Sequence, residues 1–175
     1  MTINHFVAID LGATSGRVIL ASLCDGKISM EEIHRFPDPI IEMQGHFYWD
    51  FPAIYKSVID GLSKVAARNI EVSAIGIDTW GVDFGLIDRD GNLLGNPVCY
   101  RDERTAGIPD KVAKILNPSE HYATTGIQVM EINTLSQLYS LKGSAQLEAA
   151  EHLLFMPDLF SYFLTGTISN EYCIA

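Results

Sequence analysis

Residues 6–21, Phe6-Val7-Ala8-Ile9-Asp10-Leu11-Gly12-Ala13-Thr14-Ser15-Gly16-Arg17-Val18-Ile19-Leu20-Ala21, decide the fold. Residues 6–9 form a short, continuous apolar run, which reads as a buried strand ended by Asp10. Gly12, Thr14, Ser15 and Gly16 make a tight polar turn. Residues 17–23 are rich in β-branched and apolar side chains and carry no helix cap, so they predict a second strand. That choice excludes a dinucleotide-binding fold. The glycine spacing is G-x-x-x-G, and the helix N-terminus that would hold a pyrophosphate is missing. A Walker A loop fails too, because no Gly-Lys-Ser/Thr follows.

Two readings of the turn remain. One is a plain β-hairpin whose glycines supply positive φ. The other is a phosphate-binding hairpin. In it Gly12 admits an anion close to the backbone, and the N–H groups of Ala13, Thr14, Ser15 and Gly16 converge on it. Thr14 and Ser15 add hydroxyl donors and Arg17 adds positive charge. Asp10 would repel a bare polyphosphate, so its place beside such a loop calls for Mg²⁺ between them.

Outward from this hairpin, residues 27–36 alternate well enough for a third strand after the Asp25-Gly26 turn. Residues 37–45 read as a loop and residues 47–49 as a short aromatic strand. Asp50 is a helix N-cap, and Ile54, Val58, Leu62 and Val65 make one helical stripe over residues 52–68. Residues 72–77 form a buried strand ended by Asp78. Residues 80–87 and 97–100 are further strands, with a turn over 88–92. Beyond residue 102 the pattern turns helical, over 105–116, from Pro118, over 134–142, over 145–153 and over 157–164 closed by Gly166. Residues 167–170 read as a strand. The order predicts an α/β domain with a mixed sheet and an appended helical region.

Gly76-Ile77-Asp78-Thr79-Trp80-Gly81-Val82-Asp83-Phe84 repeats the layout of the first hairpin. Asp78 stands where Asp10 stands, at the carboxyl end of a strand, where open α/β sheets bind ligands. Asp83 and the Gly81 backbone could hydrogen-bond sugar hydroxyls, and Trp80 could stack on a sugar's C–H face. A core tryptophan beside a turn is the competing reading. Tyr100-Arg101-Asp102-Glu103-Arg104 is either a surface salt-bridge cluster or an Arg and Asp pair facing the same cleft. Asn133, Thr134 and Gln137 put polar groups on one helix face.

The 175 residues suit one domain or a large piece of one, and 47% apolar against 19% charged excludes wholesale disorder. Twelve basic against 22 acidic residues give a net charge of −10, which disfavours duplex nucleic acid and anionic membranes as partners. Cys24, Cys99 and Cys173 match no zinc or disulfide spacing. The five histidines form no ligand pattern, and Ser15 lacks a G-x-S-x-G setting. The N-terminal apolar run is broken by Asp10, unlike a signal peptide, and no apolar stretch approaches the ~20 residues that span a bilayer. A cytoplasmic protein is expected.

Residues 7–21 resemble the first phosphate loop of the FGGY family of carbohydrate kinases, which share the actin-like, ribonuclease-H-like ATPase fold. Residues 32–36, 73–88, 97–105 and 156–166 are also similar, most of all to the branch of the family that phosphorylates L-rhamnulose. The resemblance implies a partial actin-like α/β domain and ATP-dependent phosphorylation of L-rhamnulose at its 1-hydroxyl. It implies ATP contacts at Ala13, Thr14, Ser15, Gly16 and Arg17 and a sugar contact at Gly81. It further implies that Asp83, Trp80 and Arg101 stand near the sugar and that Mg²⁺ binds near Asp10. Members of the family are more than twice this long, and a second domain supplies the catalytic aspartate and much of the adenine pocket. Residues 1–175 are therefore expected to be the N-terminal part alone, with no catalytic base, no turnover by themselves, and apolar surface open to association. Two alternatives are another ketose or polyol kinase, and a non-catalytic sugar- or nucleotide-responsive regulator.

Overall fold

The computed structural model describes residues 3–174. β1 (Asn4–Leu11) runs antiparallel to β2 (Ser15–Cys24), which runs antiparallel to β3 (Lys27–Pro37). The meander forms because alternate residues share a face: Val7, Ile9 and Leu11 are buried on β1, and Gly16, Val18 and Leu20 on β2. β6 (Val72–Asp78) pairs parallel to β1 on the other side, giving the order β3-β2-β1-β6. A bulge at His5/Phe6 shifts the β1–β6 register, after which the pairing is regular and sets Asp10 beside Asp78.

The sheet's buried face is covered by α1 (Phe51–Ala66). Asp50 caps it, its Oδ1 accepting from Ala53 N at 3.2 Å, and Pro52 fills the first turn, where its missing N–H matters least. The helix lays Phe51, Ile54, Val58 and Val65 on the sheet. Gly61 lets α1 come close to β2 at Val18. β7 (Phe84–Asp88) and β8 (Ala150–Phe155) form an antiparallel ribbon. α6 (Met156–Thr165) joins it to the same core through Leu159 and Phe160, and the Phe51 and Phe160 rings lie 4.8 Å apart.

Several sequence expectations need correction. Residues 37–45 are not all loop: β4 (Ile40–Met43) pairs with β5 (His46–Trp49) through a turn in which Gln44 and Gly45 both take positive φ. Residues 145–153 are not one helix: α5 (Ala145–Ala149) gives way to β8, because Leu154 and Phe155 fill space against β7. The strand over 80–87 starts only at Phe84. Residues 97–100 contribute a single bridge, Tyr48 to Val98. The helix over 105–116 splits into a 3₁₀ turn (Glu103–Thr105) and α2 (Ile108–Ala113), because Gly107 sits at φ 67° between them. Residues 167–170 form no strand. α3 (Pro118–Thr125) and α4 (Thr134–Ser140) complete the helical region, close to where the pattern placed them.

Asp38, just beyond β3, is 5% exposed, and neither carboxylate oxygen has a hydrogen-bond partner. Its backbone N–H donates to Thr14 O at 3.2 Å, which ties it to the first hairpin. Burial first, and the negative charge of Asp10 second, push its carboxyl up to about 7 from an ordinary 3.8.

Two outcomes are expected. A Cβ on Gly61 would lie 2.9 Å from Val18 Cβ and nearer still to Val18 Cγ2, so Gly61→Ala must push the helix off the sheet. It should destabilise by about 1–3 kcal/mol, read as a lowered Tm in calorimetry. The raised carboxyl of Asp38 means that the folded state holds this proton more tightly than the unfolded chain does. Its contribution is full below about pH 4 and is lost as pH rises through about 7. Asp38→Asn, which stays neutral, should gain up to about 4 kcal/mol over the parent at pH 8 and nothing at pH 4. Denaturant melts at the two pH values check this, and an equal gain at both would contradict it.

Candidate functional site

The parallel pairing of β1 and β6 sets two strand ends side by side. Each is followed by one of the polar loops singled out in the sequence. The first loop is a hairpin closed by Gly12 N donating to Ser15 O at 3.1 Å. Thr14 is exposed at its tip, Ala13 and Ser15 are half-buried, and Gly16 is buried. Gly16 is a packing glycine: a Cβ there would meet Phe36 at 2.5 Å and Leu11 at 2.7 Å. Gly12 is tight as well, with Ser15 O 3.3 Å from its would-be Cβ.

Arg17 does not project freely. Its Nε lies 3.0 Å from Asp10 Oδ2, across the strand pair that sets the two residues opposite each other. The pair is close but not aligned as a hydrogen bond, since Arg17 Nε is buried without an acceptor on its N–H axis. Among the described residues, the buried side-chain polar atoms without partners are Arg17 Nε and the two Asp38 oxygens, all next to this hairpin.

The second loop is built around Asp83, which is fully buried. Its Oδ2 accepts from Trp49 Nε1 at 2.7 Å, Trp80 Nε1 at 3.0 Å and Tyr100 N at 3.1 Å. Its Oδ1 accepts from Gln137 Nε2 at 2.9 Å. Burial raises the Asp83 pKa and these donors oppose the rise. Expected as a surface ligand, Asp83 therefore stands beneath the loop with both oxygens engaged by the protein. Trp80 is half-buried, its ring 3.9 Å from that of Trp49. Gly81 is exposed, and an added Cβ would meet nothing within 4 Å.

Arg101 is exposed and lies over the Tyr100 ring, 5.4 Å from its centroid. Asp102 has partners of its own. It is buried and accepts from Phe47 N at 2.8 Å, Arg104 N at 3.0 Å and His46 Nδ1 at 3.1 Å. Those bonds hold its pKa down against burial. Arg101 and Asp102 both line a cleft of about 520 Å³, together with Tyr100, Glu103, Thr105, Glu131 and Ile132, but they are not paired with each other: the Asp102 carboxylate is engaged by Phe47, Arg104 and His46.

Sequence reasoning did not assign Trp49, Asp38 or the His46–Asp102 pair. Trp49 had no signal beyond an aromatic strand. Asp38 lies between two prolines and reads as loop. Thr134 and Gln137 were noticed only for their spacing, and the structure brings both to the second loop.

A family model described as the N-terminal domain of the FGGY family of carbohydrate kinases matches residues 5–175. A rhamnulokinase of Bacteroides thetaiotaomicron is 53% identical over 174 residues, covering 98% of this chain and 36% of that protein. A rhamnulokinase of Mannheimia succiniciproducens is 42% identical over 176 residues, with the same coverage. The chain thus spans about a third of the length of the curated relatives it matches. Among solved structures, a gluconate kinase from Lactobacillus acidophilus superposes with a TM-score of 0.81 at 18% identity, covering 95% of this chain and 34% of that one. A xylulose kinase from the same organism gives 0.79 at 18% identity, covering 94% and 34%. At that identity the likeness carries the fold alone, an α/β actin-like ATPase fold with a mixed sheet. Family match, identity and fold agree, and the chain belongs to the FGGY family of carbohydrate kinases.

Proposed function

We propose that this chain is the sugar- and phosphate-binding N-terminal part of an ATP-dependent kinase that phosphorylates L-rhamnulose at its 1-hydroxyl. The observation that carries the proposal is the 53% identity to a rhamnulokinase over 174 residues. The geometry supports it, because the two polar loops lie side by side at neighbouring strand ends.

In this reading the ATP phosphates meet the first hairpin. The Ala13, Thr14, Ser15 and Gly16 amides and the two hydroxyls donate to them, and Arg17 supplies positive charge. Asp10 is a hard oxygen donor at the end of β1, and Asp38 brings two unpartnered buried oxygens beside the same turn. No cluster of three or more His, Cys, Asp or Glu side chains forms among the described residues. That donor set fits Mg²⁺, which takes one or two carboxylates and completes its shell with water and phosphate oxygens. When bound, the ion neutralises charge on the transferring phosphoryl group.

The sugar meets the second loop. Gly81 is exposed and an added Cβ would meet nothing within 4 Å, which leaves its backbone open to close approach by the sugar. Trp80 offers an apolar face, Arg101 a charge at the adjacent cleft, and Asp83 orients the loop from below. The base that takes the hydroxyl proton and the adenine pocket belong to a second domain, which no residue here replaces. Residues 1–175 are then one half of a cleft, and phosphoryl transfer needs both halves closed on their ligands.

The test is ADP release by the complete gene product, with L-rhamnulose, L-fuculose, D-xylulose, L-ribulose and glycerol compared and the 175-residue chain run alongside. L-rhamnulose should lead in kcat/KM by about tenfold or more, because a site built on hydroxyl contacts rejects sugars that misplace one. The short chain should be silent. Preference for another sugar would keep the kinase and overturn the substrate. No turnover by a folded, ATP-binding product would point to a regulator, and turnover by the short chain would refute the two-domain division.

A further inference from the structure

Val82 sits at φ 67°, next to Gly81. Asp25, Gln44 and Asn69 are the other non-glycine residues at positive φ among those described; Asp and Asn favour that region, Gln44 sits in the β4–β5 turn, and none of the three is β-branched. A β-branched residue there is a genuine outlier. Asp83 N donates to Gly81 O at 2.9 Å, so residues 81–83 close a three-residue turn in the strained, positive-φ form. Such a conformation persists only where the surroundings over-determine it.

What over-determines it is α4. The Val82 carbonyl accepts from Thr134 Oγ1 at 2.9 Å and from Gln137 Nε2 at 3.2 Å. Gln137 is 1% exposed, and every polar atom of its amide is engaged. The two N–H groups of Nε2 are shared among the Val82 carbonyl, Asp83 Oδ1 and Ile132 O, the latter two each at 2.9 Å, and the Gln137 Oε1 accepts from Arg104 at 2.7 Å. The amide therefore cannot turn without leaving several buried groups unpaired. Asp83 closes the circuit by taking the Trp80 indole N–H. Relaxing Val82 would rotate the peptide planes on both sides of it. Gly81 O would leave Asp83 N, and the Trp80 ring would lose its anchor.

We infer that Thr134 and Gln137 are positioning residues for the sugar: they hold the Val82 carbonyl, and so fix the Gly81 backbone and the Trp80 ring that the sugar meets. This rests on the proposal that the sugar binds at this loop. Neither residue touches the sugar. They act by making a strained turn the only available one, so the loop is rigid before ligand arrives.

The complete kinase tests it. Thr134→Val keeps the shape and removes the hydroxyl, and should raise the KM for L-rhamnulose about tenfold while kcat changes less than about threefold. The KM for ATP should not move, because the first hairpin is untouched. Thr134→Ser keeps the donor and should lie nearer the parent than Thr134→Val does. The decisive variant is Val82→Gly, which takes positive φ without strain. In Thr134→Val combined with Val82→Gly, the sugar KM should recover most of the loss, whereas general loosening of the domain would add the two effects. A parent that phosphorylates no sugar would sink the functional proposal itself. A parent with a defined sugar KM that Thr134→Val leaves unchanged, or a double variant worse than Thr134→Val alone, would overturn this inference and leave that proposal standing. If Thr134→Val fails to fold, Gln137→Met, which loses the amide, should show the same rise in sugar KM, and an unmoved KM there refutes the inference equally.

Discussion

A single buried carboxylate holds together the parts of the chain that sequence distance keeps apart. Asp83 draws donors from β5, from its own loop, from the backbone after Cys99 and from α4. A buried charge costs several kcal/mol unless its lone pairs are filled, and four donors fill these without a cation in direct contact. Arg104 is one step away through Gln137. The arrangement is demanding in a useful sense. Moving any one donor leaves charge uncompensated, so the loop, the aromatic stack and α4 shift together or not at all. Asp102 repeats the device on a smaller scale, tying the same segment back to β5 through Phe47 and His46.

The first hairpin has the opposite character. Its polar groups are under-used rather than saturated. Asp38 is buried without partners, and Arg17 is close to Asp10 without being aligned to it. Buried polar atoms with no partner are uncommon in folded proteins, and here they gather beside one turn. Two carboxylates and one guanidinium in a net-negative protein suit a ligand that brings both an anion and a cation. One loop is thus saturated by the protein's own hydrogen bonds, and the other keeps polar groups unpartnered.

Much of this was legible in the residues because the signals were local. The apolar run over residues 6–9 marks a strand, although only alternate residues of β1, Val7, Ile9 and Leu11, are buried; the stripe Ile54, Val58, Val65 reports the helical period, and Asp50 caps its helix from one residue away. The site was half legible for the same reason: both loops follow a strand that ends in an aspartate. What failed was set by tertiary contact. Ala150–Phe155 has the composition of a helix and is a strand because β7 needs a partner. The positive φ at Val82 runs against the preference of its side chain, and only the donors on α4 explain it. Asp83 reads as a surface acid until the two indoles and the amide that enclose it are known.

The bulge at His5/Phe6 has a consequence for how the chain tolerates changes in length. A strand's side chains alternate sides, so one inserted or deleted residue between Phe6 and Asp10 would invert the strand and send the Asp10 carboxylate to the opposite face. The slack lies on β6 instead: Ser73 is the extra residue opposite the His5/Phe6 step, while β1 keeps an unbroken register with β2 through His5 and Asn4. The bulge therefore works as an expansion joint on β6: a residue lost at Ser73 closes the ladder, and the pairing of Asp10 with Asp78 at its far end is preserved.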